Sequence, residues 1–326
     1  MKVLVTGSAG FIGRVVSARL RTAGDDVVTY DRAVEPADDI TDLERVRSAA
    51  DGCDTVVHLA AKVGLGVGIA DIDDYARHND LGTAVVLRAS AEAGVRRLVF
   101  ASSMVVYGEG AYGCSQHGSV RPLARTADDL ARGDFEVHCP RCGADLEPEL
   151  IGEDAPLDPR NAYAATKVHG EHLAATWARE TGAVAVALRF HNVYGPGLPR
   201  NTPYAGVAAL FASRLAAGEP ALVFEDGKQR RDFIHVDDVA RAVSAAVRAP
   251  FGPGVTALNI GSGRVTTIGD VAAALTDAAG GPPPVITGDF RLGDVRHVTA
   301  DSAAARRVLG WSAQIELRDG VRDLIG

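Results

Sequence analysis

The sequence predicts an α/β fold in which a parallel sheet carries helices on both faces. Three observations predict it. Short apolar runs recur at 3–5, 26–30, 55–61, 98–103, 184–190 and 255–263, and helix-like segments separate them. The runs are rich in Val, Leu and Ala and do not alternate with polar residues, as expected of strands buried on both faces. Between the first run and the first helical segment stand Gly7, Gly10 and Gly13, at the spacing G-x-x-G-x-x-G.

The run at 3–5 feeds that glycine turn, and an amphipathic segment follows over 14–23. A strand, a glycine turn and a helix N-terminus make an anion site. Backbone N–H groups point outward, the helix dipole favours negative charge, and absent side chains let a pyrophosphate approach. The turn residues Gly7, Gly10, Phe11, Ile12 and Gly13 are therefore dinucleotide-contact candidates, and the fold expected is of the Rossmann type. The second run ends at Asp31. A carboxylate there accepts both hydroxyls of an adenosine ribose and repels a 2′-phosphate, which favours NAD over NADP. Arg32 beside it could pair with such a phosphate and blunts that preference. Asp39 and Ile40 follow as further cofactor candidates, then a helix over 42–50. The third run closes on Leu59, Ala60 and Ala61, small enough at its end for a cofactor to lie against the backbone. The fourth ends at Ser102 and Ser103, and strand alternation sends their side chains to opposite sides.

Tyr163 and Lys167 are four residues apart, so on a helix they share one face. Tyrosine titrates near pH 10 and is a poor base at neutrality. A neighbouring ammonium and an oxidised nicotinamide are expected to lower it; a drop of about three units is roughly 4 kcal/mol. Elsewhere Cys114-Ser-Gln-His117 and Cys139-Pro-Arg-Cys142-Gly143 carry the spacing of two metal knuckles. Four soft ligands suit tetrahedral zinc, and a closed set leaves no position for substrate, so Cys114, His117, Cys139 and Cys142 predict a structural site. His138 is the second choice for the fourth ligand. Cys53 stands alone and reads as a small buried residue.

The motifs Thr6-Gly-Ser-Ala-Gly-Phe-Ile-Gly13, Ser102-Ser-Met-Val-Val-Tyr-Gly108, Tyr163-Ala-Ala-Thr-Lys167, Arg189-Phe-His-Asn-Val-Tyr-Gly-Pro196 and Arg231-Asp-Phe-Ile-His-Val-Asp-Asp238 occur in that order. Together with Asp31 they make the chain resemble the extended short-chain dehydrogenase/reductase family, in its nucleotide-sugar epimerase and dehydratase group. The resemblance covers the chain outside roughly 109–152, where the family core has a much shorter loop. Core and cysteine-rich insertion together are similar to the dTDP-L-rhamnose 4-epimerases, a looser match; the core alone is UDP-glucose 4-epimerase-like.

The resemblance implies a catalytic Tyr163, Lys167 and Ser103, with Ser102, Asn79, Tyr163 and Lys167 also on the cofactor. It implies substrate contacts from Ser103, Tyr163, Asn192, Arg231 and Arg291, the two arginines holding the diphosphate. His191 stands where the family has an aromatic or apolar residue. The dehydratases carry an Asp-Glu pair after the serine, whereas this chain has Met104-Val105, which argues against elimination of water. A NAD-dependent nucleotide-sugar 4-epimerase is thus expected. A nucleotide-keto-sugar reductase, a uronic-acid 4-epimerase and, remotely, a non-catalytic nucleotide-binding protein stay open. The expected layout is a NAD domain over 1–190 with the insertion inside it, and a mainly nucleotide-sugar-binding part over 191–326 whose 232–260 segments return to the first.

The 326 residues are 47% hydrophobic, enough for a large core. The net charge of -8 disfavours nucleic acid or an anionic membrane as partner. No run reaches membrane-spanning length, and the apolar start is too short for a signal peptide. A cytoplasmic homodimer acting on a nucleotide-diphosphate sugar is expected.

Overall fold

The computed structural model describes residues 1–64, 69–200 and 206–325. Its centre is a six-stranded parallel sheet: β1 (Lys2–Thr6), β2 (Asp26–Tyr30), β3 (Thr55–His58), β4 (Arg97–Ser103), β5 (Val184–Phe190) and β6 (Gly254–Ile260). The order is β6-β5-β4-β3-β1-β2, so it reverses between β1 and β3. In such sheets the crevice beyond the strand C-termini at this reversal takes ligands. Two strands stop short of the expected runs, β3 at His58 and β6 at Ile260, because the chain leaves the ladder there.

The longer helices are α1 (Phe11–Thr22), α2 (Leu43–Ala50), α3 (Gly82–Glu92), α4 (Ala162–Thr181), α5 (Val207–Ala216), α6 (Val236–Arg248), α7 (Ile268–Ala279), α8 (Ala303–Leu309) and α9 (Leu317–Ile325). α1 begins three residues earlier than predicted, since Gly10 is its extended N-cap. On one face of the sheet, Val16 and Leu20 of α1 and Val239, Val243 and Val247 of α6 pack on Val3, Val5, Val99 and Val186. On the other, Val46, Val86, Ala174 and Trp177 of α2, α3 and α4 cover Leu4, Val56, Leu98 and Phe100. Each fully buried valine, leucine or phenylalanine among them contributes roughly 1.5–3 kcal/mol. A third cluster joins α5, α7 and α9 through Phe211, Leu275, Val321 and Leu324.

The insertion folds on its own small scaffold. Ala111–Cys114 pairs antiparallel with Gly118–Ser119 and with Glu147–Glu149. Its buried apolar cluster is Tyr112, Cys114, Val137, Cys139 and Leu146, with Val120 packed against it.

Candidate active site and metal centre

A cleft of about 710 Å³ opens at the C-terminal ends of β1, β2, β3, β4 and β5. Its floor at one end is the glycine turn. Gly7 has φ +70°, and a Cβ there would lie 2.6 Å from the Ala60 nitrogen. A Cβ on Gly13 would lie 1.9 Å from the Gly7 carbonyl oxygen. Both positions therefore exclude any other residue. Gly10 has no side chain with which to cap α1, so the first N–H groups of that helix face the cleft as donors for an anion. Asp31 also lines the cleft. Its carboxylate accepts the N–H groups of Ala9 and Ala33, at 2.9 and 2.8 Å, which ties it to the glycine turn. These features fit a dinucleotide with its pyrophosphate on α1 and its adenosine ribose at Asp31.

At the other end Ser103, Tyr163 and Lys167 converge. Asn161 caps α4 by accepting from the Ala164 N–H at 2.8 Å. This starts the helix immediately before Tyr163, after the proline-broken approach at 153–159. Ser103 pairs with Phe190 and Ser102 with Arg189 across β4 and β5. Alternation sends the Ser103 hydroxyl to the Tyr163 phenol, while the Ser102 hydroxyl donates to Glu171 at 2.5 Å. Ser102 borders the cleft, but its hydroxyl is turned away from it. Lys167 is buried under Phe100 and donates to the Ala101 carbonyl at 2.7 Å. Its Nζ lies 5.7 Å from the Tyr163 ring centre.

Burial pushes the Tyr163 phenol up to about 12, and the Ser103 hydrogen bond only partly opposes it. The protein's side chains do not by themselves make a base of this tyrosine. Burial also lowers Lys167 to about 8, against the pull of Glu171 one turn on.

The sequence did not single out what stands behind this group. Glu171 accepts Nε and Nη2 of Arg189 at 2.9 and 2.8 Å. Arg189 donates to the Tyr107 hydroxyl at 2.8 Å, and Tyr107 to Asn259 at 2.8 Å. The spacing Tyr163, Lys167, Glu171 on one helical face was the available signal.

Of the other predicted residues, Phe11, Ile12, Arg32, Ile40, Leu59, Ala60 and Ala61 border the cleft. Asp39, Asn79, Asn192, Arg231 and Arg291 are not among the residues that line it. Asp38 borders it in place of Asp39, whose carboxylate accepts from Thr41 and pairs with Arg32. Asn79 lies in a π-helical turn, Ala76–Leu81, and joins the Lys62 backbone to the Thr166 hydroxyl on α4. Asn192 donates to the Asp232 carbonyl at 3.0 Å. Arg231 donates to the carbonyls of Arg230, Arg296 and Val295. Arg291 is exposed over the Phe224 ring. Arg231 and Arg291 both act on Asp294, whose carboxyl burial pushes up while the two cations pull it down. His191 borders the cleft, and burial pulls it down to about 4, so it is neutral.

In the insertion the ligand atoms of Cys114, His117, Cys139 and Cys142 lie within 4.8 Å of one another. His117 Nδ1 is 3.4 and 3.5 Å from the sulfurs of Cys114 and Cys139, and the Cys114 and Cys142 sulfurs are 3.7 Å apart. A zinc tetrahedron with ordinary Zn–S and Zn–N bonds has S···S edges of about 3.8 Å and S···N edges of about 3.5 Å. Burial raises the Cys139 thiol, but the N–H groups of Arg141 and Cys142, together with the neighbouring Cys114 and Cys142 thiols, outweigh this and bring it down to about 6. His138 instead pairs with Asp134 and Asp145, and Cys53 is a lone buried thiol.

A Rossmann-type sheet whose glycine turn shares one cleft with a serine, a tyrosine and a lysine defines the class, an enzyme of the extended short-chain dehydrogenase/reductase type. The chain belongs to the NAD dependent epimerase/dehydratase family, whose model matches residues 3–126 and 142–261. It is similar to a dTDP-L-rhamnose 4-epimerase of Burkholderia thailandensis, with 34% identity covering 99% of this chain and 93% of that protein. It is 32% identical to a UDP-glucose 4-epimerase of Mycolicibacterium smegmatis, over 98% and 96% of the two chains. Among solved structures, MoeE5 in complex with UDP-glucose and NAD superposes with a TM-score of 0.80 at 32% identity, over 100% of this chain and 97% of that one. Among the described residues no helix is long and apolar enough to cross a membrane.

Proposed function

We propose that the protein is a NAD-dependent nucleotide-sugar 4-epimerase that inverts C4 of its substrate without net redox change. The observation that carries this reading is the convergence of Ser103, Tyr163 and Lys167 in the cleft that begins at the glycine turn. The names of the relatives point the same way. NAD, when bound, takes up and returns the hydride. The chain's own residues manage the proton and the geometry. Tyr163 takes the proton of the C4 hydroxyl as that carbon is oxidised and gives it back on return. Ser103 donates to the same sugar oxygen and holds it against the phenol. Lys167, fixed by the Ala101 carbonyl, keeps a positive charge beneath the phenolate and would help to hold the nicotinamide end of the cofactor. Asp31 holds the adenosine ribose, which selects NAD.

Arg231 and Arg291, on the 291–296 side, hold the diphosphate, with Asn192 near the sugar. Residues 1–190 form the cofactor part and 191–326 mainly the substrate part. The four-ligand cluster holds a structural zinc. The active form is a homodimer, supported by the exposed Ile69, Ile72 and Leu81 on one segment.

Proton NMR with a panel of nucleotide sugars in D₂O, without added cofactor, tests the reading. A new anomeric signal with no ring deuterium is expected. Deuterium entering the ring, or turnover only with NADH or NADPH and a keto-sugar, would overturn it. Ser103→Ala is expected to lower kcat by roughly 10²-fold while bound NAD is retained.

A further inference from the structure

Resting on the reading of Arg231 as a diphosphate ligand, we propose that the metal-bearing insertion positions that arginine, through Glu136 and the loop 294–297. Glu136 stands three residues before Cys139. One of its carboxylate oxygens accepts both Nε and Nη2 of Arg296, at 3.2 and 2.5 Å. The other faces Nε2 of His297 at 3.0 Å. Arg296 is fully buried and also pairs with Glu225 and Asp226 at 2.8 Å each. Arg125, inside the insertion, grips Glu225 with two parallel bonds of 2.9 Å. It donates as well to the Asp294 carbonyl at 2.8 Å. From the base of the insertion, Glu109 accepts the Arg296 N–H at 3.0 Å, and the Tyr112 hydroxyl accepts the His297 N–H at 3.1 Å.

The loop is therefore held by the insertion through its N–H groups and side chains. The insertion also holds two of its carbonyls, Asp294 through Arg125 and His297 through the Gly110 N–H, and the other two point to Arg231. Those of Val295 and Arg296 accept Nη2 and Nη1 of Arg231 at 2.7 and 2.9 Å. Two of the three carbonyls that orient this guanidinium belong to a loop gripped by the insertion. The grip itself depends on the knuckle. The Cys139 N–H donates to Ala144 and the Leu146 N–H to Val137, which fixes the hairpin that carries Glu136. A guanidinium recognises phosphate through a planar fork, so a small rotation costs it both bonds. Glu136 is a positioning residue: it touches neither substrate nor cofactor.

The test measures binding of UDP and of dTDP by calorimetry, with zinc and NAD content and steady-state kinetics on each variant. Glu136→Ala is expected to keep its zinc and NAD and to raise the diphosphate Kd and the substrate KM by about tenfold, with kcat within about twofold, as befits a misplaced binding group. Glu136→Gln, which keeps an acceptor, is expected to fall between. Cys139→Ser is expected to lose the metal and show the same rise in Kd. Arg231→Met tests the underlying reading. Unchanged diphosphate binding in Arg231→Met would sink the assignment of that arginine. Weakened binding there, with Glu136→Ala binding as the parent does, would overturn the positioning role alone. Glu136→Ala decides the matter if Cys139→Ser does not fold.

Discussion

Tyr163→Phe is expected to lower epimerase turnover by roughly 10³-fold, about 4 kcal/mol of barrier, while the melting temperature and bound NAD stay close to the parent. The phenol borders the cleft and its ring meets Tyr75 at 6.2 Å, so a phenylalanine keeps the packing and removes only the proton carrier. The pH behaviour follows from burial. In the cofactor-free chain the phenol is held up at about 12. Oxidised nicotinamide brings a positive charge and stabilises the phenolate, so the pKa in the complex must be lower. A ligand that lowers a pKa binds more tightly as pH rises between the two values and releases a proton on binding. NAD⁺ affinity is thus expected to rise by up to about tenfold per pH unit from the lowered pKa towards 12. NADH, which lacks that charge, should show no such rise, and Tyr163→Phe should abolish the difference. Calorimetry in buffers of different ionisation enthalpy reads the released proton directly. Equal proton release on binding NAD⁺ and NADH would show that the phenol is not under nicotinamide control.

The second large effect concerns the knuckle. One zinc per chain is expected, and its removal should unfold the insertion while the main sheet persists. Of the five buried residues in the insertion's cluster, Cys114 and Cys139 belong to the proposed ligand set. Tyr112, Val137 and Leu146 remain, with Val120 packed against them. So few side chains make a small core for the segment 111–149, of the kind that a metal commonly completes. Structural zinc supplies on the order of 10 kcal/mol in small domains. Hydrogen exchange after chelation should therefore show amides of 111–149 losing protection, with β1 and β4 unchanged. Full protection of 111–149 in a metal-free chain would refute a structural zinc.

The sequence made the main sheet readable because its signals are local. Apolar runs mark strands buried on both faces, and the glycine turn has one backbone solution. Tyr163 and Lys167 lie within a turn of each other, and each cysteine pair sits in a four-residue knuckle. Orientation is harder to read where it depends on distant partners. Asn79 is held by the Lys62 backbone and by Thr166 of α4. The network of Arg125, Glu136, Glu225 and Arg296 joins residues 100 or more positions apart in the pairs Arg125–Glu225 and Glu136–Arg296. No periodicity or motif announces such a set.

The register of the insertion's outer strands has a consequence for how such an enzyme arises. Ala111 lies opposite Glu149, and Gly113 opposite Glu147, so the segment leaves the parent fold and re-enters it at neighbouring points. To the sheet and to Tyr163 it is equivalent to a single hairpin turn. Such a piece can be gained or lost in one genetic event without reordering any strand. Transplanted between relatives at the same two points, it would travel as a unit, carrying its own cysteine–histidine cluster and one half of its docking contacts. The other half, at Glu225 and Arg296, would have to be waiting in the recipient.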